Sequence, residues 1–315
     1  MTNASPLSSL LIIGGTKAGK THYGGQLLRR LETKKYPLRI VGAPSDLTPF
    51  QEVLDQLAQG RSAAHTPSGF YRESIWQVHR TDDNTHSELI WPDYAGEQIE
   101  DIVKKRHVSE PWVQRIRTSS GWLFFVRLST TTVPEDILDR PRGLDRMKSG
   151  ADAEGAEQTS AEDAMPSETA QPQLPKLTLS NQAGLVELLQ ALLFIKQASS
   201  AAQILEPPLV VVLSCWDEIT TPDSNGGKAK PADVLKARLP LLSQFIEATW
   251  RSGRAEIMGL SALGKALKDD VSDAAFMDNG PERQGWCISH DCKQLDDLTL
   301  PVMALMDKTG SASGR

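Results

Sequence analysis

The run Gly14-Gly15-Thr16-Lys17-Ala18-Gly19-Lys20-Thr21 has the residue types and spacing to hold a chain of phosphates. It fits the pattern G-x-x-x-x-G-K-[ST], in which glycines let successive backbone N–H groups turn inward around an anion. The Lys20 ammonium is then expected along the β- and γ-phosphates, and the Thr21 hydroxyl on Mg²⁺. A helix opening near Lys20 would add the positive end of its dipole. Alone, such a loop predicts only a bound nucleoside triphosphate. The bland alternative is an ordinary glycine-rich strand-to-helix turn.

Three later apolar runs end in polar residues, and in an open α/β sheet ligands sit outside the carboxyl ends of the strands. The first is Asp93-Tyr94-Ala95-Gly96. An aspartate there can hold Mg²⁺, and the Gly96 N–H can reach a γ-phosphate. Capping of the next helix is the competing role for Asp93. The second is Ser214-Cys215-Trp216-Asp217. A carboxylate at that position can accept from guanine N1–H and N2–H₂, a donor pair that adenine lacks. Capping again competes, and Trp216 either flanks a base or packs into the protein. The third, Ser261-Ala262-Leu263, can offer a backbone N–H to guanine O6, but carries little weight without the others.

The elements that position these residues follow from hydrophobic periodicity. Leu10 to Ile13 reads as a buried strand and Thr21 to about Leu31 as a helix. Tyr36 to Gly42 is extended or a short strand, and Leu47 to Gln59 has helical spacing. Ser74 to His79 and Glu88 to Asp93 flank a turn-rich link and predict an antiparallel hairpin. A charged helix is expected from Gln98 to Ser120, then a central strand from Gly121 to Leu128. Further helices are expected at Asn181 to Ser200, at Pro231 to Trp250 with a break at Pro240, and at Asp297 to Lys308. Strands are expected at Pro208 to Leu213 and Ala255 to Leu260. Alternating strands and helices signal an α/β layer structure with a largely parallel sheet. Residues 143–179 are rich in Ala, Glu, Asp, Ser, Thr, Gln and Pro and read as a disordered acidic insertion. That leaves 1–142 and 180–308 as one domain and 309–315 as a flexible tail.

Of the 315 residues, 39% are hydrophobic, enough for a packed core. A net charge of −6 argues against a broad nucleic-acid-binding surface. Cys215, Cys287 and Cys292 do not make a disulfide framework, which predicts a reducing, cytoplasmic setting. No stretch approaches the ~20 apolar residues of a membrane span, and residues 1–9 lack the basic start of a secretion signal.

Taken in order, the phosphate loop, Asp93-x-x-Gly96, Asp217 and Ser261-Ala262 resemble the motif series of Ras-like (TRAFAC-class) P-loop GTPases, over roughly Leu10 to Leu263. Asp93 to Glu97 and Trp216-Asp217-Glu218 look more specifically like the bacterial double-GTPase group, which is associated with prokaryotic conflict (defence) systems. The resemblance implies a three-layer P-loop NTPase fold whose mostly parallel sheet has one antiparallel hairpin strand. It implies GTP or GDP held by Gly14, Gly15, Thr16, Lys17, Ala18, Gly19, Lys20 and Thr21, with Mg²⁺ on Thr21 and Asp93. Gly96 would sense the γ-phosphate, Asp217 would read guanine, and Ser261 and Ala262 would support the base. The first-switch hydroxyl falls to Thr66, with Ser62 and Ser68 as alternatives.

Two departures from the family pattern stand out. The guanine motif usually reads N-K-x-D, and Ser214 and Cys215 replace its first two residues, which predicts relaxed base preference. Glu97 stands where many relatives have a water-orienting Gln, and Gln98 is one place further on. Slow or partner-stimulated hydrolysis is therefore expected, with an unidentified protein partner. Two other classes stay open. One is a P-loop ATPase or kinase, for which Arg140, Arg142 and Arg146 could form a lid. The other is a scaffold whose nucleotide is not hydrolysed.

Overall fold

The computed structural model describes residues 7–33, 35–63, 72–93, 102, 105, 107–128, 182–219 and 229–310. Contacts gather 1–132 and 178–315 into one unit and 133–177 into another. The second unit and the predicted acidic insertion lie outside the described residues. The sheet and its flanking helices belong to the first unit.

The sheet is built on β1 (Ser8–Gly14), β4 (Thr85–Asp93), β5 (Gly121–Arg127), β6 (Leu209–Ser214) and β7 (Ala255–Ser261). These five pair parallel in the order β4-β1-β5-β6-β7. β5 and β6 are apolar nearly throughout, as strands covered on both faces must be. β2 (Leu38–Ile40) and β3 (Arg72–Arg80) extend one side, and β8 (Trp286–Ile288) and β9 (Gln294–Leu295) the other. The β3–β4 pairing runs antiparallel from Arg72↔Asp93 to Arg80↔Thr85, which is the predicted hairpin.

Side chains alternate between two cores. Leu11 and Ile13, with Trp122, Phe124, Val126, Val211 and Leu213, face α4 (Gln182–Lys196), α5 (Pro231–Arg238) and α6 (Pro240–Thr249). Leu10 and Ile12, with Leu123, Phe125, Val210 and Val212, face α1 (Lys20–Glu32) and α8 (Leu300–Gly310). Two helical layers about one sheet make the three-layer α/β fold. On the second face α1 also packs on α2 (Thr48–Ala58). A Cβ on Gly24 would lie 2.3 Å from the Phe50 ring, so the helices approach closely.

Several boundaries differ from the sequence reading. Residues 107–109 are not helical, and α3 (Glu110–Thr118) starts afresh after Ser109, so the single helix expected from Gln98 to Ser120 is interrupted. Pro111 accounts for the restart, since a residue without an N–H is tolerated in a first helical turn but not within a helix. At Pro240 the break is complete: Leu239, at φ −134°, separates α5 from α6. Among the described residues β8 joins β3 in running against the other strands, so the antiparallel content exceeds the one hairpin strand expected. The connection from β7 to β8 also carries a short helix, α7 (Ala274–Asn279).

Candidate functional site

Parallel pairing brings the carboxyl ends of the central strands to one edge. Gly14 is level with Phe125, Arg127 with Ser214, and Ser214 with Leu260. The phosphate loop, the β5 end, the turn after β6 and the Ser261-Ala262 turn therefore open on the same side. Asp93 closes β4, the parallel neighbour of β1, at this edge too.

The loop is shaped by backbone demands. A Cβ on Gly14 would sit 2.8 Å from both the Cβ and the carbonyl oxygen of Phe125, so any side chain would push β1 off β5. Gly19 adopts φ +79°, the left-handed region that glycine enters without a steric penalty. Lys17, at the loop tip, also has a positive φ of 59°. α1 begins where the Tyr23 N–H donates to the Gly19 carbonyl at 3.0 Å. The α1 N-terminus has no side-chain cap and no acidic residue in its first turn, which suits an anion there. The Lys20 Nζ donates to the carbonyls of Gly14 (2.7 Å) and Gly15 (2.9 Å), fixing its charge over the loop. Thr21 is half-buried in the first helical turn.

His22 follows at once. Its Nε2 accepts the Ala63 N–H at 3.1 Å. Burial, with the Arg127 charge nearby, lowers its pKa to about 4, so the ring is neutral near pH 7. It links the start of α1 to the segment after α2. Ser62, in that segment, donates its N–H to the Lys268 carbonyl at 2.9 Å, and the Asp273 N–H donates to the Gly60 carbonyl at 2.9 Å. The β7–β8 connection is thereby clasped to residues 60–62.

On the other side of the site, Cys215 takes a left-handed turn (φ 53°) into a short 3₁₀ helix, Trp216–Glu218. Asp217 is exposed, and its Oδ1 accepts the Ser261 hydroxyl at 2.5 Å. Ser261 is itself buried and accepts the Gly264 N–H at 2.9 Å. The sequence reading placed Asp217 and Ser261 in one motif series, and the structure joins them directly. Trp216 packs instead of standing free: its ring lies where a Cβ on Gly259 would approach to 2.6 Å. The Ser214 hydroxyl donates to the Val126 carbonyl in the neighbouring strand at 3.4 Å. Burial raises the Cys215 thiol pKa to about 11, so it carries no charge.

Arg127 was not singled out from the sequence, and Glu218 was named only within the Trp216-Asp217-Glu218 ending, with no role of its own. The Arg127 Nε and Nη2 donate to Glu218 Oε2 (3.1 Å) and Oε1 (2.5 Å), and its Nη1 donates to the Lys17 carbonyl at 3.4 Å. The available signal was a lone cation closing the apolar run Gly121 to Val126. Thr66, Ser68, Gly96, Glu97, Gln98, Arg140, Arg142 and Arg146 lie outside the described residues. No helix among the described residues is long and apolar enough to cross a membrane.

The family model for Double-GTPase 1 (DO-GTPase1) matches residues 11–305. No curated protein matches the chain. A solved structure of the bacterial selenocysteine-specific elongation factor EF-Sec is similar, at 12% identity and a TM-score of 0.34. The match covers 82% of this chain and 26% of that one, so the chain spans about a quarter of that protein's length.

Proposed function

The chain belongs to the Double-GTPase 1 family, a group of P-loop GTPases, and we propose that it works as a GTP- and Mg²⁺-dependent switch with slow or partner-stimulated hydrolysis. The observation that carries this reading is the convergence on one sheet edge of the Lys20-held phosphate loop and the Ser261-held Asp217.

In this reading the loop N–H groups and Lys20 neutralise the β- and γ-phosphates, which is most of what phosphoryl transfer asks of a protein. Thr21 and Asp93 would hold Mg²⁺. A hydroxyl and a carboxylate are the hard oxygen donors that Mg²⁺ takes, one or two from the protein beside water and phosphate. Held there, the ion would supply positive charge that offsets that of the phosphates. The Gly96 N–H would meet the γ-phosphate, Thr66 would close on the metal, and Glu97 or Gln98 would orient water. Segments 61–69 and 94–100 would answer to the γ-phosphate. Residues 1–142 with 180–308 would form the GTPase domain, with 143–179 an acidic insertion; Thr309 and Gly310, expected in the tail, continue α8, which leaves 311–315 as the tail. A cytoplasmic setting, a protein partner and a role in a bacterial conflict system belong to the same proposal.

Titration with fluorescent GTP and ATP in Mg²⁺ tests it. GTP should bind more tightly than ATP, Lys20→Ala should weaken both roughly 100-fold, and EDTA should weaken binding as well. Equal affinity for the two nucleotides would favour a P-loop ATPase, the reading that Ser214 and Cys215 support. Binding that is indifferent to Lys20→Ala would remove the assignment altogether.

A further inference from the structure

We infer that Arg127, paired with Glu218, is the positioning residue that ties the phosphate loop to the base-reading turn. Ser214, which stands where the family pattern has Asn, bonds the Val126 carbonyl rather than the loop. The inference rests on the assignment of the two motifs to one nucleotide site.

Three N–H groups of one guanidinium serve two separate stretches of chain. Two grip the Glu218 carboxylate from both sides, and the third reaches the Lys17 carbonyl at the loop tip. A planar fork can do this, because a two-point grip on a carboxylate leaves its remaining edge free to donate elsewhere. Glu218 is a sound anchor, since its own N–H donates to the Cys215 carbonyl at 2.9 Å and closes the 3₁₀ turn that bears Asp217. Asp217 is then held from two directions, by Ser261 directly and by Arg127 through Glu218.

The residues at the expected places are otherwise engaged. The Ser214 hydroxyl is spent on Val126, and Cys215 is a neutral thiol whose Sγ lies near Gly19. Arg127 stands one strand away and reaches across. Its side chain and that of Glu218 are 28% and 25% exposed, so water screens the pair only in part. At 3.4 Å the Lys17 contact is long, which predicts a larger effect on loop order than on global stability.

The test uses the full chain with Arg127→Ala, Arg127→Lys, Glu218→Gln and the double variant Arg127→Ala/Glu218→Ala. Two measurements are made: release of fluorescent GDP, and amide exchange at residues 15–20 and 215–219 without nucleotide. Arg127→Ala should speed release about tenfold, the scale of one charge-assisted hydrogen bond, and raise exchange in both segments. Glu218→Gln should do less. Arg127→Lys should restore only part of the behaviour, and the double variant should match Arg127→Ala. Unchanged release and exchange, or full rescue by lysine, would overturn the tie. If Arg127→Ala does not fold, the Lys and Gln variants carry the same comparison. If the unaltered protein binds no GTP, the nucleotide assignment falls. The exchange data still decide whether Arg127 orders the loop.

Discussion

The two halves of the site are built in opposite ways. On the phosphate side, one continuous stretch does the work, and backbone geometry does most of it: a close approach at Gly14, a left-handed residue at Gly19, and a lysine bonded back onto its own loop. On the side proposed to read the base, side chains from β5, the 3₁₀ turn after β6 and β7 meet across the sheet edge, in the pairs Arg127–Glu218 and Asp217–Ser261. A grip made of backbone recognises what every nucleoside triphosphate shares. A grip made of long-range side-chain pairs depends on which side chains the neighbouring strands bring together.

Four measurements would break or sharpen this contrast. Lys20→Ala should cost the most, weakening GTP and ATP alike by roughly 100-fold, about 3 kcal/mol. A loss confined to GTP would contradict the division of labour. Asp217→Ala should weaken GTP by about 30-fold, or ~2 kcal/mol, and leave ATP unchanged in the same titration. Gly259→Ala forces a methyl into the Trp216 ring beside Asp217. It should lower stability in urea unfolding by about 1–2 kcal/mol. Ser261→Ala removes one hydrogen bond to Asp217 and one from Gly264, and should cost about 1 kcal/mol of GTP affinity in the binding assay. An effect of Ser261→Ala on ATP equal to that on GTP would place Ser261 outside base selection.

The same contrast explains what can be read from the chain. The phosphate loop is legible because eight adjacent residues carry it, and the central strands because each is a long apolar run. Asp217 and Ser261 are visible one by one, at strand ends. Their contact, and that of Arg127 with residues 91 and 110 positions away, depends on strand order, which periodicity does not encode. β8 and β9 have three and two residues, too few to display an alternation. The helix expected to run on to Ser120 fails at a local signal, because Pro111 opens a new first turn inside it.

The outermost strands of the sheet carry one more consequence. Among the described residues the order ends at β2 on one side, three residues long, and at the two exposed residues of β9 on the other. Any sheet left open offers unpaired N–H and C=O groups at its margins, a template for stacking onto another molecule. Here those margins are too short to seed a ladder. The apolar strands that would aggregate most readily, β5 and β6, sit in the middle of nine. Short outer strands in this way limit pairing through the sheet that would organise the proposed nucleotide site.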